Sequence, residues 1–281
     1  MYDPEPVKIA FVSGNREKLP DAVVPLGLLY VMASTPARHE RILIDLCFER
    51  EPEKALAERI AAFAPELVAL GMRNIQSNDY SGVADTLGYY DRLLAAVRGA
   101  TRAPIAVGGS GFSVMPRELM ERLRPDFGLS GEAERGFPQL VDALAAGGGF
   151  EAIASLHWFD GGALRSNAPG PFLDLDALPV PDRGLVDARY YDRYGIESVQ
   201  TKRGCPLRCE YCTYPIIEGR VGRAHLVDDR RRRTRAAGRC RGPVTRTRSA
   251  STPSSPSSRA RPVAPAWRSA PTPAATRCSR G

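Results

Sequence analysis

Between residues 7 and 149, short apolar runs alternate five times with helix-patterned ones, and this alternation constrains the fold more than any other property of the chain. Residues 7–12, 41–48, 67–71, 104–108 and 127–130 have the length and composition of buried strands. Residues 25–37, 52–64, 81–98, 116–123 and 132–146 read as helices. Leu56, Ile60 and Phe63 share one helix face, and Val83, Leu87, Tyr90, Leu94 and Val97 keep a helical period in the next. Gly147-Gly148-Gly149 stops the last helix. Such strands belong in a parallel sheet covered by helices on both faces. Right-handed crossovers then make the flavodoxin-like order 2-1-3-4-5 the simplest topology. The expected fold class is α/β, with a five-stranded parallel sheet.

Ligands of open α/β sheets bind beyond the carboxyl ends of the strands. Those ends nominate Ser13, Gly14 and Asn15; Met72, Arg73 and Asn74; Gly108, Gly109 and Ser110; and Gly131 and Glu132. A glycine after a strand also serves simply as a tight turn, so position alone does not decide the role of Gly108-Gly109.

A second concentrated signal is Thr201-Lys-Arg-Gly-Cys205-Pro-Leu-Arg-Cys209-Glu-Tyr-Cys212. Three thiolates at this spacing can hold three corners of a [4Fe–4S] cube and leave the fourth iron open. A zinc site completed by His225, or a redox dithiol, draws on the same residue types. Only Cys209 and Cys212 form the C-x2-C pair that zinc sites favour, so the spacing favours the cluster.

Charge separates the chain into two parts. Of its 39 basic residues, 14 are arginines within residues 230–281, which contain no lysine and no acidic residue. Residues 1–229 hold 25 basic and 32 acidic residues, so the body is mildly acidic and offers no basic stripe for nucleic acid. The acidic start has no secretory pattern, no apolar run reaches a bilayer span, and the six cysteines do not form a disulfide framework. A cytoplasmic protein is expected, with neither nucleic-acid partner nor transmembrane segment.

The loop Cys205-Pro-Leu-Arg-Cys209-Glu-Tyr211-Cys212 resembles the signature of the radical S-adenosylmethionine (SAM) superfamily. The resemblance implies that Cys205, Cys209 and Cys212 ligate the cluster, that SAM binds the open iron near Tyr211, and that an electron donor reduces the cluster. Pro25-Leu-Gly-Leu-Leu-Tyr30, Gly108-Gly109 with Pro116 beyond them, and Gly131-Glu-Ala-Glu134 resemble the cobalamin-binding domain found upstream of many radical SAM barrels. That likeness implies a corrin over the strand ends, with its nucleotide tail beside the double glycine. Cobalamin domains that ligate cobalt through histidine carry D-x-H-x-x-G after the first strand. Here Val12-Ser-Gly-Asn-Arg-Glu-Lys-Leu19 has no histidine, so no histidine ligand to cobalt is expected from the protein. His39, before the second strand, reads as a solvated turn residue, and His157 as structural. The implied function is SAM cleavage for radical chemistry, including methyl transfer, on a small molecule of lipid or natural-product type. The alternative is a cobalamin-binding module without catalysis.

The domains expected are a cobalamin-binding-like unit over 1–149, a hairpin and connector over 150–193, the start of a radical SAM (β/α) barrel over 194–229, and a tail over 230–281. Residues 194–201 read as the first barrel strand. The tail lacks Leu, Ile, Phe, Tyr and Met, too little apolar material to offset the cost of ordering its backbone. All its residues except Val244 and Val263 are of types encoded with G or C in the middle codon position. That composition suggests a GC-rich gene read out of frame after about residue 229.

Overall fold

A computed structural model describes residues 5–18, 21–76, 85–192 and 198–224. All of them belong to one compact unit, Met1–Gly242. The elements in order are β1 (Lys8–Ser13), α1 (Leu26–Ser34), β2 (Glu40–Asp45), α2 (Pro52–Phe63), β3 (Leu67–Gly71) and α3 (Thr86–Ala100). There follow β4 (Ile105–Gly108), α4 (Ser110–Val114), α5 (Pro116–Leu123), β5 (Phe127–Leu129) and α6 (Ala133–Ala146). The hairpin β6 (Leu156–Asp160) and β7 (Ala163–Ser166) precedes the connector, and β8 (Lys202–Arg203), α7 (Tyr214–Glu218) and β9 (Arg223–Ala224) end the described chain.

The large sheet has the order β2-β1-β3-β4-β5-β6-β7, and its first five strands are parallel. Alternation along β1 shows why both faces need helices. Ala10 and Val12 point into one core with Leu56, Ile60, Leu93, Leu94 and Val97 of α2 and α3. Ile9 and Phe11 point into the other, with Phe137, Leu140 and Val141 of α6. All four β1 residues are fully buried, and burying a side chain such as Ile9, Phe11 or Val12 is worth about 1.5–3 kcal/mol each. Pro52 and Pro116 open α2 and α5, where the missing amide proton costs nothing. Asp85 caps α3 by accepting from the Gly88 amide at 2.8 Å.

The parallel sheet follows the expected order, and four features differ from expectation. The hairpin forms about Asp160-Gly161-Gly162, but it also joins the sheet, β6 pairing antiparallel with β5. Trp158 and Leu156 on β6 extend the α6-side core, so the sheet gains two strands by burying an otherwise open edge. A short helix, α4, occupies the turn after β4. Residues 194–197 of the expected barrel strand lie outside the described residues, and 198–201 carry no strand pairing; the strand is β8, paired antiparallel with β9. His39 is buried, not solvated. Its Nδ1 accepts the Val7 amide proton at 3.1 Å, because the chain entering β1 crosses it. Among the described residues, no helix is long and apolar enough to cross a membrane.

Candidate functional site

The carboxyl ends of β1, β3, β4 and β5 open into a cavity of about 340 Å³. Ser13, Asn15, Met72, Arg73, Gly108, Gly109, Ser110, Gly131 and Glu132 line it, so nine of the nominated residues converge. Gly14 and Asn74 are not among the lining residues. Gly14 packs against the Tyr90 ring and donates its amide to the Gly71 carbonyl at 3.3 Å. Asn74 donates to the Glu17 carboxylate at 2.7 Å, and Arg73 donates to the same oxygen at 3.0 Å.

The double glycine is shaped first by packing. Gly109 has φ 103° and ψ 177°, a conformation nearly exclusive to glycine, and an added Cβ would lie 2.6 Å from the Met72 carbonyl oxygen. The Met72 amide donates to Gly108 O at 2.7 Å, Gly111 donates to Met72 O at 3.0 Å, and the Ser110 hydroxyl donates to Arg73 O at 2.6 Å. Ser113 continues this lacing: its Oγ donates to Gly109 O and accepts from the Gly131 amide, each at 2.8 Å. Three loops at the strand ends are thereby held as one rigid floor.

Asn15 is the floor's polar exception. It is 7% exposed, and its side-chain amide nitrogen has no hydrogen-bond partner. A buried donor is costly unless a partner satisfies it, and Asn15 is one of the residues that line the cavity. Apolar lining from Ala69, Leu70, Val107, Leu129 and Phe137 surrounds it. An apolar cradle with an orphan donor fits cobalamin, a broad macrocycle fringed with carboxamides.

The other wall comes from beyond the connector: Gln200, Arg203, Ile217 and Glu218. The connector is pinned to the sheet by Tyr190, whose hydroxyl donates to Asp45 Oδ2 at 2.8 Å. Burial raises the Asp45 carboxyl above its ordinary range, a shift that the Tyr190 hydrogen bond opposes. Glu132 behaves oppositely. Burial would raise its carboxyl, but the Leu173 amide and the guanidiniums of Arg223 and Arg203 hold it below the usual range. Burial and then Glu218 push the Tyr214 hydroxyl up to about 12.

The cysteine loop leaves this wall directly. Cys205, Cys209 and Cys212 are free thiols, Cys209 exposed and the other two half-buried. The Cys212 amide donates to the Cys209 carbonyl at 3.3 Å. Cys209 and Cys212 face an open hollow of about 530 Å³ with Arg208 and Arg220. Cys205 stands at the loop's root and is not among the lining residues. Tyr211 is 90% exposed. Among the described residues, no three Cys, His, Asp or Glu side chains are gathered for one metal ion. A cube takes each thiolate on a different iron, and three free thiols on one loop are a donor set of that kind. His225, the alternative zinc ligand, lies outside the described residues.

Residues 13–141 match the family model described as the B12 binding domain. Over that span, a little under half of its length, the chain is similar to a B12-binding domain. An uncharacterized methyltransferase of Pyrococcus horikoshii is 28% identical over 211 residues, 73% of this chain and 43% of that protein. The anaerobic magnesium-protoporphyrin IX monomethyl ester cyclase of Synechocystis is 30% identical over 210 residues, 70% of this chain and 38% of that protein. The radical SAM methyltransferase TsrM of Kitasatospora setae, solved with cobalamin and a [4Fe–4S] cluster bound, has the same fold. Its TM-score is 0.68 at 22% identity, over 82% of this chain and 45% of that one. The chain thus spans less than half the length of these relatives.

Among the residues lining the cavity, the strand-end glycines stand out in the sequence, whereas the wall residues Gln200, Arg203 and Glu218 do not. The one signal that could have found Arg203 is its place two residues before the first cysteine.

Proposed function

We propose that this chain binds cobalamin over the strand ends and a [4Fe–4S] cluster on Cys205, Cys209 and Cys212, as the cofactor-holding part of a radical SAM protein. The observation that carries the proposal is the shared cavity. Its floor is the carboxyl edge of the B12-binding-like domain, and its wall is the segment that leads into the cysteine loop. When bound, the cluster supplies the electron that cleaves SAM at its open iron, and cobalamin supplies a methyl carrier.

This chain's residues supply position and shelter. The rigid glycine floor presents a flat backbone surface, and the Asn15 amide offers a hydrogen bond to a ligand carboxamide. Ala69, Leu70, Val107 and Phe137 exclude water from the cavity's base. No histidine is among the described residues that line the cavity. A small-molecule substrate, a lipid or natural-product precursor, and a separate electron donor complete the system. The names of the relatives include methyltransferases and a cyclase, so methyl transfer is one outcome and ring formation another.

The test is anaerobic reconstitution of the full chain with iron and sulfide, followed by SAM and a reductant. The proposal expects reductant-dependent 5′-deoxyadenosine, lost in Cys205→Ser, Cys209→Ser and Cys212→Ser. Cobalamin uptake with no iron-dependent SAM cleavage would support a cobalamin-binding module instead.

A further inference from the structure

A buried ionic network ties the root of the cysteine loop to the cavity floor. The Arg203 side chain is 5% exposed. Its Nε donates to Gln200 Oε1 at 3.0 Å, its Nη1 to Glu132 Oε1 at 3.1 Å, and its Nη2 to Glu134 Oε1. Glu132 also accepts from Arg223 Nη1 at 2.7 Å and from the Leu173 amide at 2.9 Å. Two carboxylates and two guanidiniums balance. Glu132, Glu134 and Arg203 all face the large cavity.

The next two residues are fastened in turn. The Gly204 amide donates to Glu218 Oε2 at 3.0 Å, and the Cys205 amide donates to the Gly219 carbonyl at 3.1 Å. Gly204 has φ 78°, and any Cβ there would collide with the Val221 carbonyl oxygen. Arg203, Gly204 and Cys205 are therefore fixed one after another, and the last carries the first thiol of the loop.

A buried ion pair is a weak way to gain stability, because the cost of desolvating both charges offsets their attraction. An apolar contact would hold the two segments as well. What the planar guanidinium adds is direction: several hydrogen bonds at set angles, which admit one arrangement of the two segments. Glu132 and Glu134 flank the start of α6, directly after the β5 end of the floor.

We propose that Arg203 is a positioning residue that sets the separation and orientation of the cysteine loop relative to the cavity floor, and so of the cluster relative to cobalamin. This rests on the function proposed above. Arg203 lines the cavity wall, and it fixes the loop through its neighbours Gly204 and Cys205.

The experiment compares the full chain with Arg203→Gln, Arg203→Lys and Glu134→Gln, the last keeping an oxygen acceptor in place. Each is loaded anaerobically with iron, sulfide and cobalamin and then reduced. A fast-relaxing reduced cluster speeds the spin relaxation of nearby cob(II)alamin, and the effect falls steeply with distance. Signals are compared per loaded chain, at iron and cobalamin contents matched to the parent's. The microwave power that half-saturates the cob(II)alamin signal should fall severalfold in Arg203→Gln and less in Arg203→Lys and Glu134→Gln. An unchanged half-saturation power in loaded Arg203→Gln overturns the proposal.

Hydrogen exchange on the unloaded chains gives a second, cofactor-free measurement. Exchange of residues 203–212 should rise about tenfold in Arg203→Gln while β1 and β3 stay protected. Equal exchange in that loop also overturns the proposal. A parent chain that loads only one of the two groups, or neither, instead refutes the functional reading and the positioning role that depends on it. The exchange data then still report whether Arg203 fixes the loop.

Discussion

Replacing Gly109 by alanine probes the floor of the cavity with one methyl group. The backbone there has φ 103° and ψ 177°, a region that costs an ordinary residue about 1–3 kcal/mol. The new Cβ would lie 2.6 Å from the Met72 carbonyl oxygen and 3.2 Å from the Met72 carbonyl carbon and amide nitrogen. These are backbone atoms and cannot swing aside, so the β3 and β4 loops must part, at a further cost of about 1–3 kcal/mol for overpacking. The sum is a loss of about 2–6 kcal/mol. Urea unfolding followed by far-ultraviolet circular dichroism measures it, as a lower midpoint with an unchanged slope. Gly99→Ala is the matched control. Gly99 lies in α3 with nothing within 4 Å of its added Cβ, so the change should stabilise by about 0.5–1 kcal/mol. Cobalamin affinity should fall in Gly109→Ala and stay constant in Gly99→Ala. If Gly109→Ala unfolds within 0.5 kcal/mol or so of the parent, the close approach of the two loops is refuted.

Gly27 lines the cavity from α1, and an added Cβ there meets open space. Gly27→Leu should therefore keep or raise the melting temperature while weakening cobalamin binding by about tenfold, ~1.4 kcal/mol, in an absorbance titration. The pH dependence of stability follows from His39 and His157. Burial lowers both below their ordinary 6.5, with Arg38 adding to the effect at His39. The folded state thus favours neutral imidazole. The stability this preserves is present above pH 6.5 and is lost as pH falls through the lowered folded values, and urea midpoints should drop accordingly. The raised Asp45 carboxyl acts in the opposite sense, above its ordinary 3.8. His39→Asn with His157→Gln should flatten the profile just below pH 6.5. Sequencing the coding region around residue 229 should reveal, in another frame, further strand-and-helix-patterned sequence; an alternative frame without it refutes the frameshift reading of the tail.

Local pattern made the parallel sheet legible. Strands such as β3 and helices such as α5 fall where apolar runs and helix-opening prolines put them, because both signals act within a few residues. The strand ends followed from topology alone. What escaped was non-local. The five residues of α4 carry no period, and the turn is held by Ser113 bridging Gly109 to Gly131. Pairing of β6 with β5 depends on an open sheet edge, which a hairpin pattern does not encode. His39 looked solvated because the segment that buries it enters from residue 7. The network around Arg203 joins residues about seventy positions apart, and no spacing rule reaches that far.

The most direct test is the cofactor content of one reconstituted chain. The full-length protein is loaded anaerobically with iron, sulfide and cobalamin, desalted, and assayed for metal and for corrin absorbance. The account predicts about one cobalamin and about four irons per chain, with the iron lost and the cobalamin kept when the three cysteines become serine. Iron that persists without Cys205, Cys209 and Cys212, or cobalamin that fails to bind, would contradict it.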